Sequence, residues 1–454
     1  MLMRCLLCLS AVLGLTGWSW AGITNRPSDR IIRVSDYPAE YPCTPERLYF
    51  MDRWMGWGLV AYDEARDVYT VNADLWVGDN DGTETYFQVG RANHTNETLV
   101  VNGNVVVYPN FIMGQHPQLK WWDVENKVNR VTIGDASNAN IKASLKIGSA
   151  AGSGHTLYVG LVPLPDKRLL PGCFGGQFYI YNGTIMAAIQ DNEHAIGPIG
   201  VGDNRRWVWR GDEKSHVLKG ATLSWMAGFM TGGGVKESSD TIFENGGTAL
   251  IPNKARHVGA IFRNLKTAIL DYDGGCDVEL VDCVFTNNEC NWSLVNAGKG
   301  IVAIDCQIAP PAKGDSYCFK ENPKTKVRQY PAWISRRHIV VEVADEKGAA
   351  VTNATVRIRA EQAGEDLIDN DKVTVDKDGK TPAKGALKAI LLTELIKRAG
   401  DKPNEPSTRE FAYGIRVAAP GYEECELKGF CPKNSWETVR IRLKTKSSGG
   451  EAKQ

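Results

Sequence analysis

The chain has 454 residues, with 53 basic and 53 acidic side chains in balance. That length allows two or more domains. Nothing in that balance suggests a polyanion-wrapping surface or an acidic tail, and no nucleic-acid partner is expected. With 46 glycines and 13 tryptophans, the composition leans towards an all-β protein rich in tight corners, most of its tryptophans packed inside.

Residues 1–21 read as a secretory signal. Arg4 precedes an apolar run from Cys5 to Trp18, and Ser19-Trp20-Ala21 supplies a small-x-small cleavage pattern before Gly22. No later run approaches the ~20 apolar residues of a membrane span, so a secreted or cell-surface product is expected. Of the 11 cysteines, Cys5 and Cys8 fall within the signal. The odd remainder cannot all pair within one chain, and Cys276 with Cys290 and Cys425 with Cys431 are the pairs to test. None has CxxC metal spacing, which argues against zinc. Residues 22–68 read as an irregular, proline-rich lead-in. Its aromatic stretch, with Trp54 and Trp57, would cap the open end of a repeat array.

Residues 69–310 change character. Short apolar runs are punctuated by glycine, at Gly90, Gly114, Gly148 and Gly160, where a corner needs a permissive backbone. Thr248-Ala-Leu-Ile aligns with Thr267-Ala-Ile-Leu, and Cys283 in VELVDCVF aligns with Cys306 in IVAIDCQI. A period of roughly 20 residues that drifts by a few is how short strands joined by variable turns repeat. Cys283 and Cys306 would then stack inward as small apolar side chains. This pattern resembles the right-handed parallel β-helix of pectate-lyase-like proteins, and the glycine-punctuated part resembles autotransporter-type passenger stalks. The resemblance implies a bacterial origin. Long loops such as PLPDKRLLPGC and GDNRRWVWRGDEKSH would wall a groove along the stack.

Residues 311–337, with Pro311, Pro323 and Pro331, read as a linker. From 338 to 445 the alternation in Val340-Val341-Glu342-Val343 and Val439-Arg440-Ile441-Arg442-Leu443 predicts half-buried antiparallel strands. The Val343–Val356 run, the Asp376-x-Asp378-Gly379 turn and Ala419-Pro420-Gly421-Tyr422 resemble a carboxypeptidase-regulatory-like (transthyretin-like) β-sandwich. Residues 386–399 fit helical spacing through Leu387, Leu391 and Leu395, whereas the resemblance wants a strand. Residues 446–454 read as a disordered tail. The expected fold is therefore all-β, a right-handed parallel β-helix followed by a small antiparallel β-sandwich.

β-Helix enzymes that cleave acidic polysaccharides place carboxylates for Ca²⁺ and a basic residue on one face. That resemblance makes Asp271 and Asp273 candidate metal ligands and Lys254, Arg256 and His257 candidate catalytic residues. Two hard oxygen donors beside a cation suit Ca²⁺ and a uronate carboxylate; a polar turn with solvated neighbours is the plainer explanation. The segment Arg205-Arg206-Trp207-Val208-Trp209-Arg210 offers a candidate ligand-binding patch. Trp207 and Trp209 share a face if the segment is a strand, and Arg205, Arg206 and Arg210 could bracket an anionic sugar. If the segment packs inward, the indoles are core. No Ser-His-Asp set, Cys-His set or phosphate loop can be assembled from spacing. The expectation is an exported, non-catalytic protein that contacts polysaccharide or cell-surface glycan as an adhesive or structural component. The alternative is a lyase-like enzyme acting on an acidic glycan by calcium-assisted β-elimination.

Overall fold

The computed structural model describes residues 22–26, 28–79, 83–108, 111–112, 129–148, 157–159, 173–174, 176–187, 199–201, 216–224, 229–230, 237–250, 254–271, 277–294, 300–317, 320–321, 328–329, 332–362, 373–382, 389–399 and 406–446. The signal at 1–21 and the tail from 447 lie outside this set. The protein is predominantly β with extensive parallel sheets, and one helix occurs among the described residues. Among the described residues no helix is long and apolar enough to cross a membrane. Residue contacts divide the chain into two units, Met1–Val217 and Leu218–Gln454.

In the first unit the lead-in is more ordered than its composition suggests. Gly22–Arg26 and Ile31–Ser35 form an antiparallel hairpin, and Pro45–Met55 is an α-helix. Its start is specified locally: Thr44 caps it by accepting the Arg47 N–H at 3.3 Å, and Pro45 takes a first-turn position that needs no N–H. Gly56, left-handed at φ 72°, ends it. Asp52 is buried and accepts the Leu59 N–H at 2.8 Å, tying the helix to the next strand. Val60–Asp63 then pairs antiparallel with Val68–Val71.

Beyond that hairpin the described rungs form three parallel stacks, with one short antiparallel pair, Phe111–Ile112 with Cys173–Phe174, beside them. Val68–Val71, Thr98–Val101, Ser144–Ile147 and Thr184–Ala187 stack in one sheet. Thr85–Val89, Asn129–Gly134 and Gly176–Tyr181 stack in a second. Ile31–Ser35, Asp74–Val77, Val105–Val107, Leu157–Val159 and Ile199–Val201 stack in a third. Burial alternates along the strands, enclosing residues such as Phe87, Val89, Val131, Ile133, Phe178 and Ile180, so alternate side chains point outward. Gly90 and Gly148 have positive φ, as expected of corners; Gly114 and Gly160 lie outside the described residues. At Gly90, φ is +89° and a Cβ would fall 2.4 Å from that of Ala143.

The second unit repeats the plan with shorter returns. Glu237–Ser239, Lys254–Val258, Asp277–Val281 and Gly300–Ile304 stack in parallel. Thr222–Ser224, Ile242–Leu250, Ile261–Asp271, Val284–Thr286 and Gln307–Ile308 form a second parallel stack. Thr248 does pair with Thr267, and Val278 pairs with Ile301 in the register read from the two cysteines. Between the stacks the chain turns at Gly220, Asp240, Gly259, Asp282 and Asp305, all of positive φ. Asp tolerates this left-handed corner better than most side chains. The residue after each corner (Ala221, Thr241, Ala260, Cys283, Cys306) is small and buried. Thr241 Oγ1, Cys283 Sγ and Cys306 Sγ each donate to the carbonyl two residues back, at Ser239, Val281 and Ile304. The cysteines thus occupy an inward corner column beside a threonine that makes the same contact. Phe243, Phe262 and Phe285 stack along the interior at 5.1 and 4.6 Å, and Trp292 stacks on Trp333 at 3.8 Å.

Residues 332–337, read as the end of a linker, instead open the 14-residue strand Ala332–Asp345. Its first half is the next parallel rung after Gly300–Ile304. Residues Trp333–Ile339 also pair antiparallel with Ile390–Ala399, and Ile339–Asp345 pair parallel with Glu437–Leu443. Ile390–Ala399 resolves the helix-or-strand ambiguity as strand. Thr355–Ala360, Val373–Thr374, Tyr413–Ala418 and Cys425–Phe430 form a separate antiparallel sheet. Inward residues of both groups, among them Val341, Val343, Leu392, Ile358 and Ile415, share one core. The Tyr413 hydroxyl donates to the Thr393 carbonyl and accepts the Thr393 N–H, both at 3.0 Å. Cys425 and Cys431 are not bonded to each other. The Asp376 carboxylate accepts the N–H groups of Asp378 and Lys380 and closes its own turn.

Candidate functional site

Strand alternation decides where the candidate catalytic residues lie. Arg256 is half-exposed and holds Glu279 on the next rung, Nε to Oε1 2.8 Å. His257, the following residue, faces the opposite way and is fully buried. Its Nδ1 lies 2.6 Å from Ser238 Oγ, and Nε2 has no partner among the described residues. Burial pushes its pKa down to about 4, so the ring is held neutral. Arg256 and His257 therefore do not converge on one ligand. Lys254 opens the same strand opposite Asp277, and Asp271 closes the strand Ile261–Asp271 opposite Leu294. Asp273 and the whole patch Arg205, Arg206, Trp207, Trp209 and Arg210 lie outside the described residues.

Two constellations escaped the sequence reading. Asp67, His94 and Glu97 bring donor atoms within 4.8 Å of one another, a set able to hold a cation. Each is already engaged. His94 Nδ1 is 2.8 Å from Asp67 Oδ1. Buried Glu97 accepts the Gly90 N–H at 2.6 Å and Arg91 Nη2 at 3.2 Å. Arg91 also reaches Glu46 on the helix at 2.8 Å. Burial raises the Glu97 pKa against the pull of the Gly90 N–H and Arg91. With an arginine already neutralising the carboxylate, the network ties corner, helix and turn together. The His94-x-x-Glu97 spacing was its only trace in the sequence.

The second constellation faces solvent. On the sheet made by Thr85–Val89, Asn129–Gly134 and Gly176–Tyr181, the outward positions include Tyr86, Arg130, Tyr179 and Tyr181, all partly exposed. Arg130 pairs in register with Tyr86. Its guanidinium carbon lies 4.0 Å from the Tyr179 ring centroid and 5.1 Å from that of Tyr86, within cation–π range. Tyr179 and Tyr181 meet edge to face at 6.1 Å. Partial burial raises the pKa of Tyr86 and Tyr181, so both hydroxyls stay protonated donors. The row presents ring faces, hydroxyls and one fixed cation along the rungs, the chemistry needed to lie against a sugar ring and hydrogen-bond its edge. The signal was available: Tyr179-x-Tyr181 is the same two-residue aromatic spacing as Trp207-x-Trp209.

No family model and no curated protein matches the chain. Among solved structures, the crystal structure of a double mutant of a periplasmic alginate epimerase aligns with 61% of this chain and 68% of its own. Sequence identity is 9% and the TM-score 0.20, a likeness too slight to fix the fold or the activity.

Proposed function

We propose that the chain is an exported, non-catalytic protein that contacts carbohydrate, built on a right-handed parallel β-helix (69–310) and a C-terminal carboxypeptidase-regulatory-like β-sandwich (338–445). The observation that carries the contact is the row Tyr86–Arg130–Tyr179–Tyr181 on the outward side of a parallel stack. A rigid ladder spaces such side chains at fixed intervals, so a chain-like ligand is met without an ordering cost in the protein. The opposite orientations of Arg256 and His257 favour this reading over a lyase. Export rests on the signal pattern of residues 1–21.

The test is a glycan array probed with the purified mature chain, followed by titration of its strongest ligand. Binding should weaken about tenfold in Tyr179→Ala/Tyr181→Ala, corresponding to roughly 1.4 kcal/mol. A blank array, or equal binding by the variant, would sink the assignment. Release of unsaturated uronides in the presence of Ca²⁺, lost on Asp271→Ala with Asp273→Ala, would establish the lyase instead.

A further inference from the structure

The outer face of the antiparallel sheet in the C-terminal module carries cations that make no ion pair among the described residues. Arg357 and Arg359 project from Thr355–Ala360 while Val356 and Ile358 between them are fully buried. Arg357 lies directly opposite Arg416, and Arg359 opposite Gly414. The missing side chain at Gly414 helps leave an open hollow of ≈ 640 Å³, with Glu361, Glu426 and Lys428 also on its walls. Four cationic side chains thus meet two carboxylates there. Arg416 is satisfied by Glu424 at 3.1 Å and Glu426 at 3.7 Å, and Lys428 lies 3.9 Å from Glu426. Glu361 accepts the Gly429 N–H at 2.8 Å. Among the described residues, no ion pair is made by Arg357 or Arg359.

Like charges directly opposite on neighbouring strands destabilise a sheet, and an anion bridging them removes that cost. From this geometry we infer that the face binds an acidic polysaccharide through its carboxylate or sulfate groups. Guanidinium forks match such groups with paired hydrogen bonds. The interspersed glutamates select the occupant. Glu361 and Glu426 would repel the closely spaced phosphates of a nucleic acid or the dense charge of an anionic membrane. Between anionic groups that alternate with sugar hydroxyls, they become acceptors. The site uses none of the residues in the tyrosine row and stands or falls separately from it.

The experiment titrates the full mature chain with short polygalacturonate oligosaccharides. Neutral dextran oligosaccharides, single-stranded DNA and phosphatidylserine vesicles serve as comparisons. Polygalacturonate should bind, dextran should not, and the affinity should fall as salt rises. Arg357→Gln/Arg359→Gln should lose about tenfold or more, whereas Arg357→Lys/Arg359→Lys retains part of the binding and Arg66→Gln, at an exposed arginine of the first unit, retains all of it. Both arginines are exposed over an intact core, so circular dichroism should be unchanged. Absence of polygalacturonate binding, equal binding by the Gln variant, or a preference for DNA or vesicles would overturn the inference.

Discussion

Acidification should unfold the second unit through His257. The ring is fully enclosed, and burial lowers its pKa from 6.5 to about 4. The unfolded chain, with the ordinary value, binds the proton more readily, so protonation favours unfolding. The stability tied to the neutral ring is fully present above pH ~6.5, declines as pH falls, and is gone once pH passes below ~4. A lowering of this size corresponds to roughly 3 kcal/mol, a large part of the 5–15 kcal/mol typical of a domain. The assay is urea denaturation at a series of pH values for the native chain and for His257→Leu. Leucine suits the site because Leu280, the in-register neighbour, is buried in the same column. Carboxylates titrate in both proteins, so the difference in pH slope between them isolates the histidine. The native chain should lose about 3 kcal/mol more than the variant across that interval. Identical slopes would refute the reasoning and return His257 to the solvent-facing side.

The phenylalanine stack gives a second test. Phe262→Ala should cost about 3–5 kcal/mol, and a double-mutant cycle with Phe243→Ala should reveal a coupling of about 0.5–1.5 kcal/mol between residues that touch across one rung; strict additivity in denaturation would contradict the stacking. Two left-handed glycines should separate by context. Gly90→Ala forces its Cβ against Ala143 and should cost about 2–4 kcal/mol, whereas Gly56→Ala, with nothing within 4 Å of its Cβ, should cost about 1 kcal/mol; equal melting shifts would be inconsistent with the corner geometry at Gly90.

What the sequence disclosed follows from the length of the returns. In the second unit, rungs recur at separations of 19 and 23 residues, so Thr248 with Thr267 and Cys283 with Cys306 remained visible as a repeat. In the first unit, cross-rung contacts span 30 residues between Asn72 and Asn102 and 46 between Gln88 and Gly134. Loops of that length erase the period, which is why Tyr86, Arg130 and Tyr179 were not recognised as one row. Lys254 to His257 illustrates a different gap: a run of basic residues reads as a cluster, although strand alternation alone places Arg256 and His257 on opposite faces. The helix Pro45–Met55 was legible from Thr44, Pro45 and Gly56, but its aromatic density drew the reading towards a cap. Asp67, His94 and Glu97 meet only because one corner and one turn fold together, and no periodicity encodes that.

The register that assembles the tyrosine row can be measured by cysteine cross-linking. Tyr86 and Arg130 are paired neighbours on adjacent parallel rungs, about 4.8 Å apart and within disulfide reach. Gln88 pairs instead with Thr132, leaving Gln88 and Arg130 about 8 Å apart, beyond that reach. Under mild oxidation, Tyr86→Cys/Arg130→Cys and Gln88→Cys/Thr132→Cys should each form an intramolecular disulfide, and Gln88→Cys/Arg130→Cys should remain reduced. Efficient closure of that last pair, with the first two left open, would contradict both the ladder and the contact face built on it.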